Sequence, residues 1–277
     1  MATQVPEEQG TLIGRGRTAD IYAWGDGLAL KLYYEGWSHA AVEHEAQISR
    51  LVAAAGAPAP SASGPFTVNG RYGILFERLV GPTLLHQVAA RPWTIRRAVR
   101  AFADLHLATH ARVVGDHSLP TQRERLERQI SDAPLVSDRI RAAALRRLEH
   151  LPEGSALCHG DYHPDNVLMT GHGPIIIDWA SASRGHPLAD VAQTELLLQI
   201  GEPPATPSRI ERVLLAVART YVRRAYLRRY FRHGTTRQEE LAAWRLPIAV
   251  ARLADEIPGE QSKLLRLIER EMASRGL

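Results

Sequence analysis

The chain has 277 residues, of which 45% are hydrophobic and 23% are charged, enough apolar material for one large domain or two lobes with buried cores. Its 34 basic and 30 acidic residues leave a formal net charge of only +4, which excludes a chain dominated by one sign of charge. A single cysteine, Cys158, excludes a disulfide within the chain and indicates a reducing compartment.

Targeting signals are not evident in the sequence. Residues 1–9 are polar and acidic, so the sequence predicts no signal peptide. No apolar stretch reaches the roughly 18 residues that a membrane helix needs. With its one cysteine, the chain is therefore expected to be a cytoplasmic globular protein.

The first ninety residues have the pattern of strands around one helix. Residues 12–24 indicate a strand, a glycine-rich turn and a second strand, and Leu28–Tyr33 alternates as a third. Asn69-Gly70 lies between two apolar runs and is a strong hairpin signal. Ser38 is placed to cap a helix that ends near Ala55. The sequence thus predicts a small antiparallel sheet with one helix.

The rest of the chain is mostly helical in pattern. Helices are predicted over residues 93–110, 122–131, 138–150, 189–200, 207–232, 237–256 and 260–274. Short strands around residues 157–178 interrupt this series. The predicted fold class is α+β.

Residues 157–179 hold the most informative motif of the chain. Their sequence is LCHGDYHPDNVL over residues 157–168 and IIIDW over residues 175–179. An apolar run leads into a polar loop with Asp161 and Asn166, and a second apolar run ends on Asp178. Two short strands would hold these three side chains at one edge. Phosphoryl transfer needs such a set: a carboxylate to accept a hydroxyl proton, and an amide with a carboxylate to hold magnesium.

This motif resembles the catalytic and metal-binding loops of the aminoglycoside phosphotransferase and choline kinase family. His-Gly-Asp stands where protein kinases have His-Arg-Asp, and Ile-Asp-Trp replaces Asp-Phe-Gly. The resemblance implies a two-lobed protein-kinase-like fold, with ATP and Mg²⁺ as cofactors. Residues 1–80 would form the nucleotide-binding lobe. Residues 81–277 would form a helical lobe with the catalytic loop and the acceptor-binding helices.

The resemblance also implies roles for the motif residues. Asp161 would be the catalytic base, which orients the acceptor hydroxyl and takes its proton. Asn166 and Asp178 would hold magnesium through oxygen atoms, as a hard cation prefers. His159 is expected to support the loop by hydrogen bonding, and Asp190 to bond a loop rather than the metal.

Lys31 is one of only two lysines in the chain, and the other, Lys263, has no evident role. In the kinase arrangement Lys31 would bind the α- and β-phosphates and pair with a helix glutamate. Glu45 is the expected partner and Glu43 the alternative, because residues two apart on a helix face different ways.

Two further segments complete the expected nucleotide site. Gly14-x-Gly16-x-x-Ala19 resembles the kinase glycine-rich loop, whose backbone N–H groups approach the phosphates. The adenine ring is expected between the lobes, bonded to the backbone of Glu77 and Leu79. This last expectation depends on the resemblance alone.

The expected partner is a small-molecule hydroxyl acceptor, with no nucleic acid or membrane, bound by a monomer or homodimer. From Trp179 onward the chain has 16 basic and 11 acidic residues, which disfavours but does not exclude a polycationic aminoglycoside. Acidic residues in this region that would suit a cationic acceptor are Glu195, Glu239, Glu240, Asp255 and Glu256. An amino alcohol such as choline would instead need an aromatic cage. The sequence does not select the acceptor.

Three other functions are consistent with parts of this pattern. A kinase-fold protein that binds or senses a nucleotide or small molecule with little catalysis is the first alternative. A metal-dependent hydrolase with His159, Asp161 and His163 as ligands is the second, but it leaves Lys31 and Asn166 unexplained. A protein kinase is a weaker choice, since no Ala-Pro-Glu ends a long loop after the metal-binding carboxylate.

Overall fold

The computed structural model describes residues 3–4, 10–115, 119–201, 209–232 and 238–274. The chain divides into two compact units. The first unit comprises Met1–Ala90 with Pro164–Ala182, and the second Arg91–His163 with Ser183–Leu277. The division predicted from the sequence, 1–80 and 81–277, differs in that residues 81–90 and 164–182 belong to the first unit.

A six-stranded sheet forms the first unit. In order across the sheet the strands are β1 (Thr3–Gln4), β5 (Ala62–Val68), β6 (Arg71–Glu77), β4 (Leu28–Tyr33), β3 (Ala19–Trp24) and β2 (Thr11–Arg15). All neighbours are antiparallel except β1, which pairs with β5 in parallel. The predicted antiparallel sheet is therefore present, with one short parallel strand added.

Helix α1 (His39–Ala54) packs on this sheet. The Ser38 hydroxyl accepts a hydrogen bond from the Ala41 N–H and caps the helix, as its position in the sequence predicts. Side chains alternate along β4. Leu30 and Leu32 therefore enter one apolar cluster, while Tyr33 enters another that contains Val42 and Ala46 of α1. The same alternation places the Lys31 side chain on the face of the sheet that packs against α1.

A hairpin of β8 (Val167–Thr170) and β9 (Gly173–Ile176) also belongs to the first unit. Its backbone is bonded to the remainder of that unit: the Met169 N–H donates to the Pro82 carbonyl and the Ile176 N–H to the Pro58 carbonyl. A short helix, α2 (Leu84–Ala90), contacts this region and was not predicted from the sequence.

The second unit is mainly helical. Its helices are α3 (Ile95–His110), α4 (Gln122–Asp132), α5 (Asp138–Glu149), α6 (Pro187–Ile200), α7 (Arg209–Tyr230), α8 (Gln238–Leu241), α9 (Arg245–Arg252) and α10 (Pro258–Ala273). Strands β7 (Ala156–Cys158) and β10 (Ser183–Gly185) pair between them. Nearly all of α6 is buried, against α7, α8 and α9 among others. In the described part of the chain, no helix has the length and apolarity to cross a membrane.

One predicted helix is interrupted in the structure. The helix predicted over 237–256 is broken into α8, a turn and α9. Residue 237 lies outside the described residues, as do residues 207 and 208 of the preceding predicted helix. Pro247 has no N–H for the Ala243 carbonyl and its ring would clash there, and that carbonyl accepts from Arg147 instead.

The two apolar runs of the central motif do not pair with each other. Strand β7, which precedes Asp161, pairs with β10, and β9, which precedes Asp178, pairs with β8. The two runs therefore belong to different units.

Candidate functional site

The β8–β9 hairpin brings Asn166 and Asp178 to its open end. Val167 pairs with Ile176, and the Ile177 N–H donates to the Asn166 carbonyl at 2.9 Å. Asp178 has a left-handed backbone, with φ 61° and ψ 60°. Such backbone in a residue other than glycine is uncommon and often marks a functional position. The two side chains supply an amide and a carboxylate, which are suitable ligands for magnesium.

Lys31 connects this hairpin end to the sheet and to α1. Its Nζ lies 2.7 Å from Glu45 Oε1 and 2.9 Å from Asp178 Oδ1. Glu43, the alternative partner, instead pairs with Arg50 near the surface. Burial disfavours the Lys31 ammonium, but the carboxylates of Asp178 and Glu45 outweigh it and raise the pKa of Lys31. The lysine is therefore a firmly charged cation between two carboxylates.

The glycine-rich turn lies between β2 and β3 of the same unit. The Gly16 N–H donates to the Ala19 carbonyl at 2.8 Å, and the Tyr34 hydroxyl donates to the Gly16 carbonyl at 3.0 Å. Neither Gly14 nor Gly16 has a positive φ. A Cβ on Gly14 would make only ordinary contacts. The backbone conformation therefore does not by itself require glycine at these two positions.

The segment expected to bind adenine follows β6. The Glu77 N–H donates to the Ser61 carbonyl and the Arg78 N–H to the Gly27 carbonyl. Within the described ranges, the backbone N–H of Leu79 has no hydrogen-bond partner. The backbone of Leu79 thus retains a donor that the sheet does not use.

In the second unit, Asp190 of α6 holds the loop that carries the catalytic candidate. Its buried carboxylate accepts the backbone N–H groups of His159 at 2.6 Å and Gly160 at 2.7 Å. The Nδ1 atom of His159 accepts the Asp161 N–H at 3.2 Å. Both residues therefore make the kind of loop contact expected from the sequence.

Two histidines on α3 complete the surroundings of Asp190. The Nε2 atoms of His106 and His110 each lie 3.1 Å from Asp190 Oδ2. Their Nδ1 atoms lie 2.7 Å from the Tyr226 hydroxyl and 2.6 Å from the Tyr230 hydroxyl, respectively. These two histidines were not predicted from the sequence, although their spacing of four places them on one helix face.

The pKa values of this buried cluster are strongly shifted. Burial favours a neutral carboxyl at Asp190, but hydrogen bonds from His106 and His110 outweigh it and hold the pKa well below its usual range. Burial and then the neighbouring His110 lower the pKa of His106 to about 3. The loop is therefore held by an anionic carboxylate that faces a neutral His106.

Asp161, the candidate base, is about a quarter exposed, at 26% of its side chain. Its Oδ1 accepts from Arg252 Nη1 at 3.3 Å, and its Oδ2 lies 3.6 Å from His163 Nε2. Burial alone would raise the pKa of Asp161, but His163 and then Arg252 outweigh it and lower the pKa well below the usual range. Asp161 is thus anionic at working pH. Arg252 was not predicted from the sequence, because 91 residues separate it from Asp161.

Two of the acids proposed for a cationic acceptor are already paired with arginines. Glu195 is buried and bonds both Arg223 and Arg245. Asp255 pairs with Arg252. These two carboxylates therefore have arginine partners in place of an acceptor ammonium group.

The ligand set of the alternative hydrolase is not brought together. Among the residues that the structure describes, the ligand atoms close enough to share an ion belong to His106, His110 and Asp190. His159, Asp161 and His163 do not form such a group. The site geometry therefore favours the phosphotransferase assignment over the hydrolase.

Comparison with solved structures shows the fold. An aminoglycoside-3'-phosphotransferase of type VIII has a TM-score of 0.59, with 22% identity over 88% of this chain and 92% of that chain. The amicoumacin kinase hAmiN, solved with AMP-PNP, Ca²⁺ and Ami, has a TM-score of 0.60, with 15% identity over 99% and 90%. A choline/ethanolamine kinase family protein from Mesorhizobium loti has a TM-score of 0.52, with 17% identity over 92% and 84%.

Sequence comparison shows the family. A search of curated protein sequences found no match. The family model described as "Phosphotransferase enzyme family" matches residues 9–227, which is more than half of the chain. The α+β, protein-kinase-like fold expected from the motif is confirmed. The chain therefore belongs to the phosphotransferase enzyme family that includes the aminoglycoside phosphotransferases.

Proposed function

We propose that this protein is an ATP- and magnesium-dependent kinase that transfers the γ-phosphoryl group to a hydroxyl of a small molecule. The observation that carries the proposal is the position of Lys31, whose ammonium contacts both Glu45 and Asp178. One cation held between a helix carboxylate and a hairpin carboxylate is the arrangement that positions a polyphosphate beside a metal site.

The first unit would bind the nucleotide. Lys31 would contact the α- and β-phosphates while Glu45 fixes the direction of its ammonium group. Asn166 and Asp178 would hold magnesium, which when bound offsets negative charge on the phosphate oxygens. The turn at Gly14 and Gly16 would cover the phosphates with backbone N–H groups.

Glu77 and Leu79 would bind the adenine ring through their backbone atoms. The Leu79 N–H is suited to donate to a ring nitrogen, since it makes no hydrogen bond within the described ranges. This assignment depends on backbone atoms, so the side chains at both positions would contribute little to nucleotide selectivity.

Asp161 would act on the acceptor. As the acceptor oxygen bonds to the γ-phosphorus, the bond from that phosphorus to the bridging oxygen breaks and ADP leaves with the electron pair. The hydroxyl proton passes to Asp161. Because its pKa is depressed, Asp161 is a weak base, so it would take the proton late and act mainly by orienting the hydroxyl.

The proposed acceptor class is a hydroxyl-bearing antibiotic, amino alcohol or sugar. Structural neighbours are described as kinases of aminoglycosides, amicoumacin, choline and ethanolamine. Their diversity supports a small-molecule hydroxyl as the shared feature and does not choose among the compounds.

The proposal is tested by an ATP-consumption screen with magnesium across aminoglycosides, macrolides, amino alcohols and sugars. Asp161→Ala serves as the blank. We expect at least one compound to accelerate ADP release by the natural protein and not by the variant. Nucleotide binding without consumption across the whole panel would favour a sensing protein, and equal turnover by Asp161→Ala would remove Asp161 from the reaction.

A further inference from the structure

Arg252, the last residue of α9, is the most heavily bonded guanidinium near the candidate base. It is 8% exposed. Its Nε and Nη2 atoms donate to the two oxygens of Glu260 at 2.8 and 3.1 Å. Its Nη1 donates to Asp255 at 2.9 Å and to Asp161 at 3.3 Å. None of these contacts belongs to the nucleotide site described above.

The direction of the Arg252 guanidinium is fixed independently of Asp161. Glu260, on α10, is buried and engages one edge of the planar group in a two-point contact. Asp255, three residues after Arg252, holds the same Nη1 atom that reaches Asp161. A planar group fixed along one edge presents its remaining N–H groups in a set direction. The guanidinium is therefore pre-organised before it meets the base.

The three carboxylates around Arg252 argue against a role in binding an anionic ligand. Asp161, Asp255 and Glu260 outnumber the single guanidinium, and the hydrogen bonds to them already use Nε, Nη1 and Nη2. A phosphate or carboxylate ligand would have to displace one of them. The geometry instead suits a group that holds a carboxylate of the protein in one orientation.

We propose that Arg252 is a positioning residue for phosphoryl transfer: its contact with Oδ1 fixes the orientation of the Asp161 carboxylate toward the acceptor hydroxyl. This inference rests on the proposed function and deepens it. Other groups that face Asp161 include His163, near Oδ2, and His159, which accepts the Asp161 N–H. Arg252 is itself fixed by Glu260 and Asp255, so its contact restricts rotation of the Asp161 carboxylate.

The expected contribution follows from how transfer depends on orientation. A carboxylate free to rotate presents its oxygen to the hydroxyl in only a fraction of encounters. A small misplacement of a reacting group costs up to about 100-fold in rate. Nucleotide binding should not change, since Lys31, Asn166 and Asp178 are untouched. Loss of Arg252 should therefore lower kcat and leave the KM for ATP unchanged.

The test compares Arg252→Met and Arg252→Lys with Arg245→Met. Arg245 lies two turns earlier on the same helix and also pairs with a buried carboxylate, Glu195, so it reproduces the loss of a structural ion pair. For each variant we measure the rate at which the acceptor found in the screen is phosphorylated, or the rate of ATP hydrolysis if water is the only acceptor. The melting temperature of each variant is measured as well. We expect kcat to fall about 10- to 100-fold in Arg252→Met, with partial recovery in Arg252→Lys and KM for ATP within about twofold.

A second variant keeps the inference testable if Arg252→Met does not fold. Glu260→Gln leaves the arginine in place and weakens the contact that fixes it. We expect kcat to fall about threefold to tenfold at an unchanged KM for ATP. A kcat equal to that of the natural protein in Glu260→Gln, or a kcat in Arg252→Met no lower than in Arg245→Met, would overturn the inference.

The variant pair separates positioning from a purely structural role. A structural loss would lower kcat and the melting temperature alike in Arg252→Met and Arg245→Met, whereas positioning requires kcat to fall only in Arg252→Met and to recover partly in Arg252→Lys. Failure of the proposed function is recognised separately, because the natural protein would then consume no ATP with any compound of the panel.

Discussion

At the scale of single residues, Lys31 determines the electrostatics of the proposed nucleotide site. One ammonium group lies within 2.9 Å of both Glu45 and Asp178. Without it, two carboxylates would face each other with no cation between them, and like charges at short distance repel. The side chains of Lys31 and Glu45 are only 14% and 11% exposed, so solvent screens their pair poorly. Glu45 should therefore affect nucleotide binding, although it lies outside the sequence motif that holds the candidate magnesium ligands.

The two glutamates on α1 offer a matched comparison. Glu45→Gln should lower kcat/KM for ATP by about tenfold or more, because the Lys31 ammonium loses the charge that orients it. Glu43→Gln should change it by less than about twofold, because its pair with Arg50 is about 40% exposed. Steady-state kinetics with varied ATP checks both. Equal effects of the two substitutions would contradict the assignment of Glu45.

Local signals in the sequence pointed to the candidate residues of this site, but not to their tertiary partners. Lys31 stood out because lysine is rare in this chain, and the motif around Asp161 and Asp178 is local. Arg252 had no such signal, since arginine is abundant and the contact is distant in sequence. Lys263, for which no role was predicted, donates to the Ile200 carbonyl at the end of α6. Only tertiary structure reveals such a contact.

At the scale of elements, the β8–β9 hairpin positions both candidate magnesium ligands. Its close fit to the segment before α2 is set by Gly81. A Cβ at that position would collide with the Met169 carbonyl group. The Met169 N–H is also bonded to the Pro82 carbonyl, so the two backbones approach closely over adjacent residues. The hairpin therefore cannot accept a larger residue at 81 without moving.

Gly81→Ala tests this close approach. The substitution should lower the free energy of unfolding by about 1 to 3 kcal/mol, as overpacking does, and weaken the response of activity to magnesium. Gly171→Ala, at the turn of the same hairpin, should be nearly neutral because nothing lies within 4 Å of the added methyl group. Chemical denaturation and magnesium titration provide the measurements. A neutral Gly81→Ala would show that the hairpin is not held as described.

Local sequence signals account for the elements that were predicted well. Ser38 caps α1, and Asn69 and Gly70 both have the positive φ of the predicted hairpin turn, 49° and 77°. Helix α2 was missed, and the break before α9 depends on Pro247 within an otherwise helical pattern. Strand β9 pairs with β8 and not with β7. This choice depends on tertiary contacts, which the alternation of apolar and polar side chains does not encode.

At the scale of the whole molecule, a buried polar cluster joins α3, α6 and α7 within the second unit. The Asp190 carboxylate contacts His106 and His110 and accepts two backbone N–H groups. Tyr226 and Tyr230 of α7 contact His106 and His110, respectively. A fully satisfied buried network specifies one packing arrangement and is costly to disturb. The stability of the molecule and the geometry of the loop that carries Asp161 thus depend on the same cluster.

This cluster predicts a loss of stability in mild acid. The pKa of His106 is about 3 in the folded protein, below the unfolded value of 6.5, so the unfolded state binds more protons as pH falls below 6.5. Between pH 7 and pH 5, protonation of His106 in the unfolded state should lower the free energy of unfolding by about 2 kcal/mol. The depressed pKa of Asp190 acts mainly below about pH 4, outside this window.

Chemical denaturation at pH 7 and pH 5 measures the effect. His106→Gln should be less stable at pH 7 but should lose less stability between the two pH values. His172→Gln, a change of an exposed histidine, should retain the fall of the natural protein. An identical fall in His106→Gln would assign the acid sensitivity to another group.

The catalytic assignment of Asp161 is tested by the rate of γ-phosphoryl transfer to the acceptor in Asp161→Asn, beside Asp165→Asn. Asp165 lies four residues on and accepts a hydrogen bond from the Thr83 hydroxyl, a contact that asparagine can keep. We expect a loss of about 100-fold or more in Asp161→Asn and a rate within about threefold of the natural protein in Asp165→Asn. Transfer by Asp161→Asn at the natural rate would refute phosphoryl transfer through this carboxylate.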